Sequence, residues 1–256
     1  MLSIVTNVDS LIAQQNLSVN QRFQSNTIRQ LTSGYRISSS SDDAAGLAQA
    51  NTDRNQVASL NQGVLNINDA ISSLQIADGA MSNISQMLDR MQTLATEAAS
   101  PGTGSATTMN SEFNDLAAEI TREAAAAGGG GTIQTGGGSL TVAAPGAVTA
   151  TALSVSGFNL STQAVSAMAA VSAAIATLGS AQATVGAGIN VLTYASQLAQ
   201  SQIANTSGAE SQLRDADVAA EAANLSKAQV MQQAAIAAMA QANAEPQAVL
   251  SLLKNA

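Results

Sequence analysis

Residues 57–91 read VASLNQGVLNINDAISSLQIADGAMSNISQMLDRM. From Val57, the residues Leu60, Val64, Ile67, Ile71, Leu74, Ala77, Met81, Ile84, Leu88 and Met91 recur at steps of three and four. The mean step is close to 3.5 residues and persists over several heptads, which keeps one apolar seam turned toward a partner helix. Upstream, Ser38 to Ser41 followed by Asp42 and Asp43 supply an N-cap and first-turn charge. Downstream, Pro101-Gly102 supplies a stop. A helix over about 42–100 is roughly 85 Å long at 1.5 Å per residue, which suits a rod better than a pocketed domain.

A second arm repeats the pattern. Val165, Met168, Val171, Ile175, Leu178, Gln182, Val185, Ile189 and Leu192 recur at three and four, and the register continues to Ile203. A shorter helix is predicted from about Met109 to Ala127, carried by Phe113, Leu116 and Ile120. Between the arms, the glycine runs 128–131 and 136–138 flank Thr-Ile-Gln-Thr, and 139–160 is rich in Thr, Val, Ala and Gly. Glycine breaks helices while Thr and Val favour strands, so a small hairpin or loop is expected, and the arms it joins run antiparallel.

The two ends carry weaker seams. Ile4, Val8, Leu11, Val19 and Phe23 mark one amphipathic helix, and Val218, Leu225, Ile236 and Met239 another, with Gln229 and Gln232 at seam positions. Such diluted seams are marginal alone and call for partners.

Composition removes most enzyme classes. With no Cys and no His, thiol catalysis, disulfides, the usual zinc sites and a Ser-His-Asp triad are excluded. Aromatics make up 2 % and there is no Trp, so a ring-lined pocket is not expected either. The net charge is −8, and the nine basic residues are scattered, which argues against nucleic acid and anionic lipid. The amino terminus does not read as a secretory signal, because the first basic residue is Arg22 and Asp9 interrupts the apolar run from Leu2. No stretch is expected to reach the length of apolar residues that spans a bilayer.

Motifs that invite chemistry read more simply as structure. Pro101-Gly-Thr-Gly104 lacks the lysine of a phosphate loop, and the run from Gly128 opens no helix, so both are linkers. Asp42 with Asp43, and Asp215 with Asp217 near Glu210, could be carboxylate sites, but helix starts explain them without a metal. The sequon at Asn83 falls within a predicted helix. No catalytic, metal-binding or cofactor-binding residue is assigned.

Both ends resemble bacterial flagellin. Thr6-Asn-Val-Asp-Ser-Leu-Ile-Ala-Gln-Gln-Asn-Leu17 is similar to the family's opening motif. Arg29-Gln-Leu-Thr-Ser-Gly-Tyr-Arg-Ile37 with Asp42-Asp-Ala-Ala-Gly-Leu47 resembles its signature. Leu213-Arg-Asp-Ala-Asp-Val-Ala-Ala-Glu221, Gln232-Gln-Ala234, Gln241-Ala-Asn243 and Pro246-Gln-Ala-Val-Leu-Ser-Leu-Leu253 resemble its closing stretch. In the family the second arm carries two Arg where this chain reads Ala174-Ile-Ala-Thr-Leu-Gly-Ser-Ala-Gln-Ala-Thr184.

The resemblance implies a mainly all-α protein: a long antiparallel coiled-coil helical rod with a small β-hairpin or loop between the arms. Residues 1–41 and 215–256 would form an inner coiled-coil layer, 42–127 and 161–214 the rod, and 128–160 a glycine-rich linker with the β element. It is a short form without variable outer domains. The implied function is a self-polymerising subunit of the extracellular filament that serves swimming. Export would proceed through the flagellar type III apparatus, with a cap protein, a hook–filament junction protein and an export chaperone as partners. Ile4, Val8, Leu11, Val19, Phe23, Val218, Leu225, Ile236, Met239, Leu250 and Leu253 would pack the inner layer against neighbours. Arg90, Leu94 and Glu112 match residues that the vertebrate innate-immune flagellin receptor reads, whereas Asp89, Gln92 and Thr93 do not. The alternatives are the hook–filament junction protein, a relative with similar ends, and a secreted enzyme on a flagellin frame, which would need a large insertion with metal ligands.

Overall fold

The computed structural model describes residues 7–100, 106–126, 131–142 and 152–254. Four helices begin on a side chain that takes over an orphan amide, as helix starts require. Asn7 Oδ1 accepts from the Ser10 amide at 3.0 Å and opens α1 (Val8–Ser33). Asp43 Oδ1 accepts from the Gly46 amide at 2.9 Å and opens α2 (Ala44–Ala98). Asn159 Oδ1 takes the Ser161 amide at the head of α4 (Leu160–Arg214). Asp217 Oδ1 takes the amides of Ala219 and Ala220 at the head of α5 (Val218–Lys254). Asp43 and Asp217 are thus spent on helix starts, while Asp42 accepts from the amides of Ser38 and Ser39 and Asp215 from the Ser211 hydroxyl at 2.6 Å. Among the described residues no three His, Cys, Asp or Glu gather as a metal site. Helix α3 (Ala106–Ala126) and the hairpin of β1 (Gly131–Gln134) and β2 (Ser139–Val142) complete the described elements.

The chain divides into two compact units. One comprises Asn55–Asn205, and the other Met1–Arg54 with Thr206–Ala256, so α2 and α4 contribute to both. In the Asn55–Asn205 unit, Leu60, Ile67, Leu74, Met81, Leu88 and Ala95 of α2 step by seven and are all buried. Ala164, Val171, Leu178, Val185, Leu192 and Ala199 of α4 do the same. A strict seven-residue apolar step is the repeat of a left-handed coiled coil. The helices run in opposite senses, because a Cβ on Gly137 would lie 3.8 Å from Leu60 near the start of one row and 3.7 Å from Gln202 beyond the end of the other. Phe113 and Ile120 of α3 are buried in the same core, with Leu116 half-buried beside it.

The expected seam of the second arm needs one correction. Val165 is 73 % exposed, while Ala164 and Ala167 are buried. Seven residues back from Val171 is Ala164, so Val165 falls one position off the seam, onto the outer face. A second correction concerns membranes: α4 contains an 18-residue window of mean hydropathy 1.6, apolar enough by composition to cross a bilayer. Alanine supplies much of that value, and the helix's large apolar heptad residues lie in the core just described.

The hairpin is the small β element expected. Its strands pair antiparallel, Thr132 with Thr141 and Ile133 with Leu140. Four residues, Thr135 to Gly138, turn the chain, closed by the Thr135 amide donating to the Gly138 carbonyl at 2.9 Å. Gly136 sits at φ +78°, where a side chain is strained. The segment is more than a linker, since Ile133 and Leu140 pack against the core.

Candidate subunit-packing surfaces

In the other unit α1 and α5 pair with each other. Asn7 Nδ2 donates to the Ala242 carbonyl at 2.8 Å, and Asn20 Nδ2 to the Ala228 carbonyl at 2.9 Å. The Ala216 amide donates to the Gly34 carbonyl at 2.9 Å. As α1 advances its partner recedes, so the pairing is antiparallel.

What this pair buries is unusual. Its interior holds Asn20, Thr27 and Ala228, the last with no exposed surface. Val8, Leu11, Val19, Phe23, Val218 and Ile236 all stand outside, Val19 at 59 % exposure. Leu225 and Met239 are half-buried. Ile4 lies outside the described residues, as do the side chains of Leu250 and Leu253. Of the polar seam positions expected on α5, Gln232 is half-buried and Gln229 exposed, because Ala228 faces inward instead. Small and amide side chains bring the backbones close, while the large apolar groups remain in water, inverting the usual amphipathic arrangement. A groove of about 500 Å³ runs between the helices, lined by Ile12, Ala13, Asn16, Ala234 and Ala238 among others.

The base of the pair is clasped. Tyr35 and Asp215 form an isolated antiparallel bridge, and the Arg36 amide donates to the Arg214 carbonyl at 2.7 Å. The Arg214 guanidinium lies 4.1 Å from the centre of the Tyr35 ring, a cation–π contact, and reaches Glu210 at 3.7 Å. Sequence reasoning missed the Asn7 and Asn20 hooks and this clasp. The available signal was the recurrence of amides inside the weak seams.

Arg90 and Glu112 meet across α2 and α3 in a bidentate ion pair at 2.7 and 3.0 Å. The Arg90 hydrogen bond, and then its charge, holds the Glu112 carboxyl below the usual carboxylate range, and Glu112 raises Arg90 in return. Both are half exposed, which screens the pair. Leu94, expected beside them as a surface contact, is 1 % exposed and belongs to the core. The structure therefore brings Arg90 and Glu112 together at the surface and places Leu94 in the core.

Residues 4–132 match the family description of the bacterial flagellin N-terminal helical region, and 168–253 that of the C-terminal helical region. A flagellin of Halalkalibacterium halodurans is 30 % identical over 271 residues, covering 97 % of this chain and 98 % of that protein. The chain belongs to the bacterial flagellin family. Within the family it is also similar to the B-type flagellin of Pseudomonas aeruginosa, 37 % identical over 123 residues, 47 % of this chain and 25 % of that one. A flagellin of Escherichia coli K12 is 39 % identical over 117 residues, 46 % of this chain and 23 % of its own length. The chain thus aligns with about a quarter of each of these longer flagellins, but with nearly the whole of the Halalkalibacterium one. As a flagellin it is a structural subunit of the flagellar filament.

Proposed function

We propose that the subunit polymerises through the outer faces of α1 and α5, forming the inner layer of an extracellular filament from 1–41 and 215–256. Residues 42–127 and 161–214 would form the surrounding layer, with 128–160 as the short connection. The observation that carries this reading is the inverted burial: Val8, Leu11, Val19, Phe23 and Ile236 are exposed around an interior of Asn20, Thr27 and Ala228. Exposed apolar surface of this kind marks an association site, and covering it in an assembly removes it from water. Heterologous contacts that do not close give a fibre. The reading has no catalytic step, in keeping with a chain that lacks His and Cys. It extends to export through the flagellar type III apparatus, to a cap protein, a hook–filament junction protein and an export chaperone, and to receptor contact through the paired Arg90 and Glu112.

The test is salt-induced polymerisation followed by electron microscopy. The intact protein should form filaments, whereas Val19→Asp, Ile236→Asp and a deletion of 217–256 should stay soluble. Normal filaments from the truncated chain would overturn the proposal.

A further inference from the structure

Along α1, Ala13, Asn20 and Thr27 fall at steps of seven, and along α5 so do Glu221, Ala228, Ala235 and Ala242. Each is buried or half-buried. The Asn20 hook to the Ala228 carbonyl sets Ala13 opposite Ala235 and Thr27 opposite Glu221, and Ala13 and Ala235 line one groove. Large knobs seated in holes fix the register of a coiled coil, and this seam has none. Sliding α5 by seven residues, about 10 Å along the pair, sets Ala13 against Ala242, Asn20 against Ala235 and Thr27 against Ala228. Alanine again meets every seam position. The Asn20 hook is remade too, since it needs only a main-chain carbonyl beside a small residue. What the slip loses within the seam is the Asn7 hook to Ala242, a single hydrogen bond.

The clasp at the base has no second position. A helix commits each amide to the carbonyl four residues back, so only the break between α4 and α5 leaves the Ala216 amide free to reach the Gly34 carbonyl. The carbonyls of a last helical turn lack partners within the helix. At the end of α4 Arg36 takes two of them, its amide bonding the Arg214 carbonyl at 2.7 Å and its guanidinium the Leu213 carbonyl at 2.6 Å. The Arg214 side chain, only 15 % exposed, lies 4.1 Å from the centre of the Tyr35 ring. A slip carries this cation away and brings the first turn of α5, with Glu221, toward the ring, whose negative face repels a carboxylate.

We propose that Tyr35 and Arg214 are positioning residues that select this register of α5 on α1 over the one a heptad away. The choice shapes the outer face, where Val8, Val19 and Phe23 of α1 flank Val218 and Ile236 of α5. A slip displaces one half of that stripe by about 10 Å. Its effect on polymerisation rests on the assembly reading above, whereas the register does not.

The absence of Cys lets paired thiols read the register in the free full-length chain. Copper-catalysed oxidation of Ala13→Cys with Ala235→Cys reports the observed register, and of Ala13→Cys with Ala242→Cys the slipped one, each as an intrachain link on a nonreducing gel. The first pair should close far faster than the second. Arg214→Ala or Tyr35→Leu should cut that preference about tenfold, the margin of a desolvated cation–π contact, while Arg214→Lys and Tyr35→Phe retain it. A role in stability alone would slow both links together and leave their ratio unchanged. That result overturns the proposal, as does an unsubstituted chain that favours the second pair or closes neither. No filament is needed, so a chain that fails to polymerise overturns the assembly reading and leaves the register lock standing.

Discussion

Gly63 of α2 and Thr135 of the hairpin turn approach so closely that a Cβ on residue 63 would lie 2.1 Å from the Thr135 carbonyl oxygen. Two side chains of α2 fasten the same turn: Asn66 Nδ2 donates to the Gln134 carbonyl at 2.9 Å and Ser59 Oγ to the Gly136 carbonyl at 3.2 Å. The obstacle to a methyl group is backbone, which has little room to yield. Gly63→Ala should therefore destabilise the Asn55–Asn205 unit by about 1–3 kcal/mol, the usual cost of overpacking. Gly79→Ala, in the same helix with nothing within 4 Å, should stabilise by about 0.5–1 kcal/mol through helix propensity alone. Urea unfolding of the two variants reads both signs, and equal midpoints would mean that the hairpin is not seated on α2.

Stability and assembly should separate by position. Phe113 is fully buried between α3 and the coiled-coil arms, so Phe113→Ala should cost about 3–5 kcal/mol. Val19 is mostly exposed, so Val19→Ala should change monomer stability by less than about 0.5 kcal/mol and yet raise the critical concentration for polymerisation. Thermal unfolding and sedimentation of filaments measure the two effects independently. A Val19→Ala monomer that unfolds as readily as Phe113→Ala would show that the exposed stripe is monomer core.

The coiled-coil arms were legible in the sequence because one physical rule governs them. Leu60, Ile67, Leu74, Met81 and Leu88 are large, apolar and evenly spaced, and all are buried. The rule fails where the packing residue is small: Ala164 gives no stronger signal than any other alanine, and the more hydrophobic Val165 beside it masks the seam position. The α1–α5 pair was harder. An interior of Asn20, Thr27 and Ala228 carries no apolar period, so the seam read there was the outer face. The contacts of Gly63 with Thr135 and of Tyr35 with Arg214 depend on residues far apart in the chain, and no local pattern points to either.

Acid should loosen the start of α2 before it touches the core. The Asp42 carboxyl is held below the ordinary carboxylate range, first by the Ser39 amide and then by the Ser38 hydroxyl. Its folded-state value is depressed, so its contribution is fully present above the ordinary carboxylate range and is lost only as pH falls through the lower, folded-state value. Asp42→Asn should remove that dependence, and the pH profiles of the two proteins should converge in strong acid. Amide exchange at Ser38 and Ser39 reports the loop directly. Identical profiles from neutral to acid pH would rule out a role for Asp42 in holding it.

Hydrogen exchange should rank the helices by what they bury. Protection of an amide reflects the cost of opening its segment, and that cost falls where few apolar side chains are buried. Along α2, Leu60, Ile67, Leu74, Met81 and Leu88 are all fully packed, so their amides should exchange slowly in monomer and filament alike. Along α1 the buried positions are Asn20 and Thr27, and the large apolar groups face water. The Asn7 and Asn20 hooks set the register of α1 on α5, but two hydrogen bonds contribute only about 0.5–1.5 kcal/mol each. Amides of α1 and α5 should therefore exchange far faster than those of α2 in the free subunit and become protected when Val8, Leu11, Val19 and Phe23 are covered in the filament. Terminal helices as slow as α2 in a verified monomer would mean that the α1–α5 pair is stable by itself and does not need neighbours to complete it.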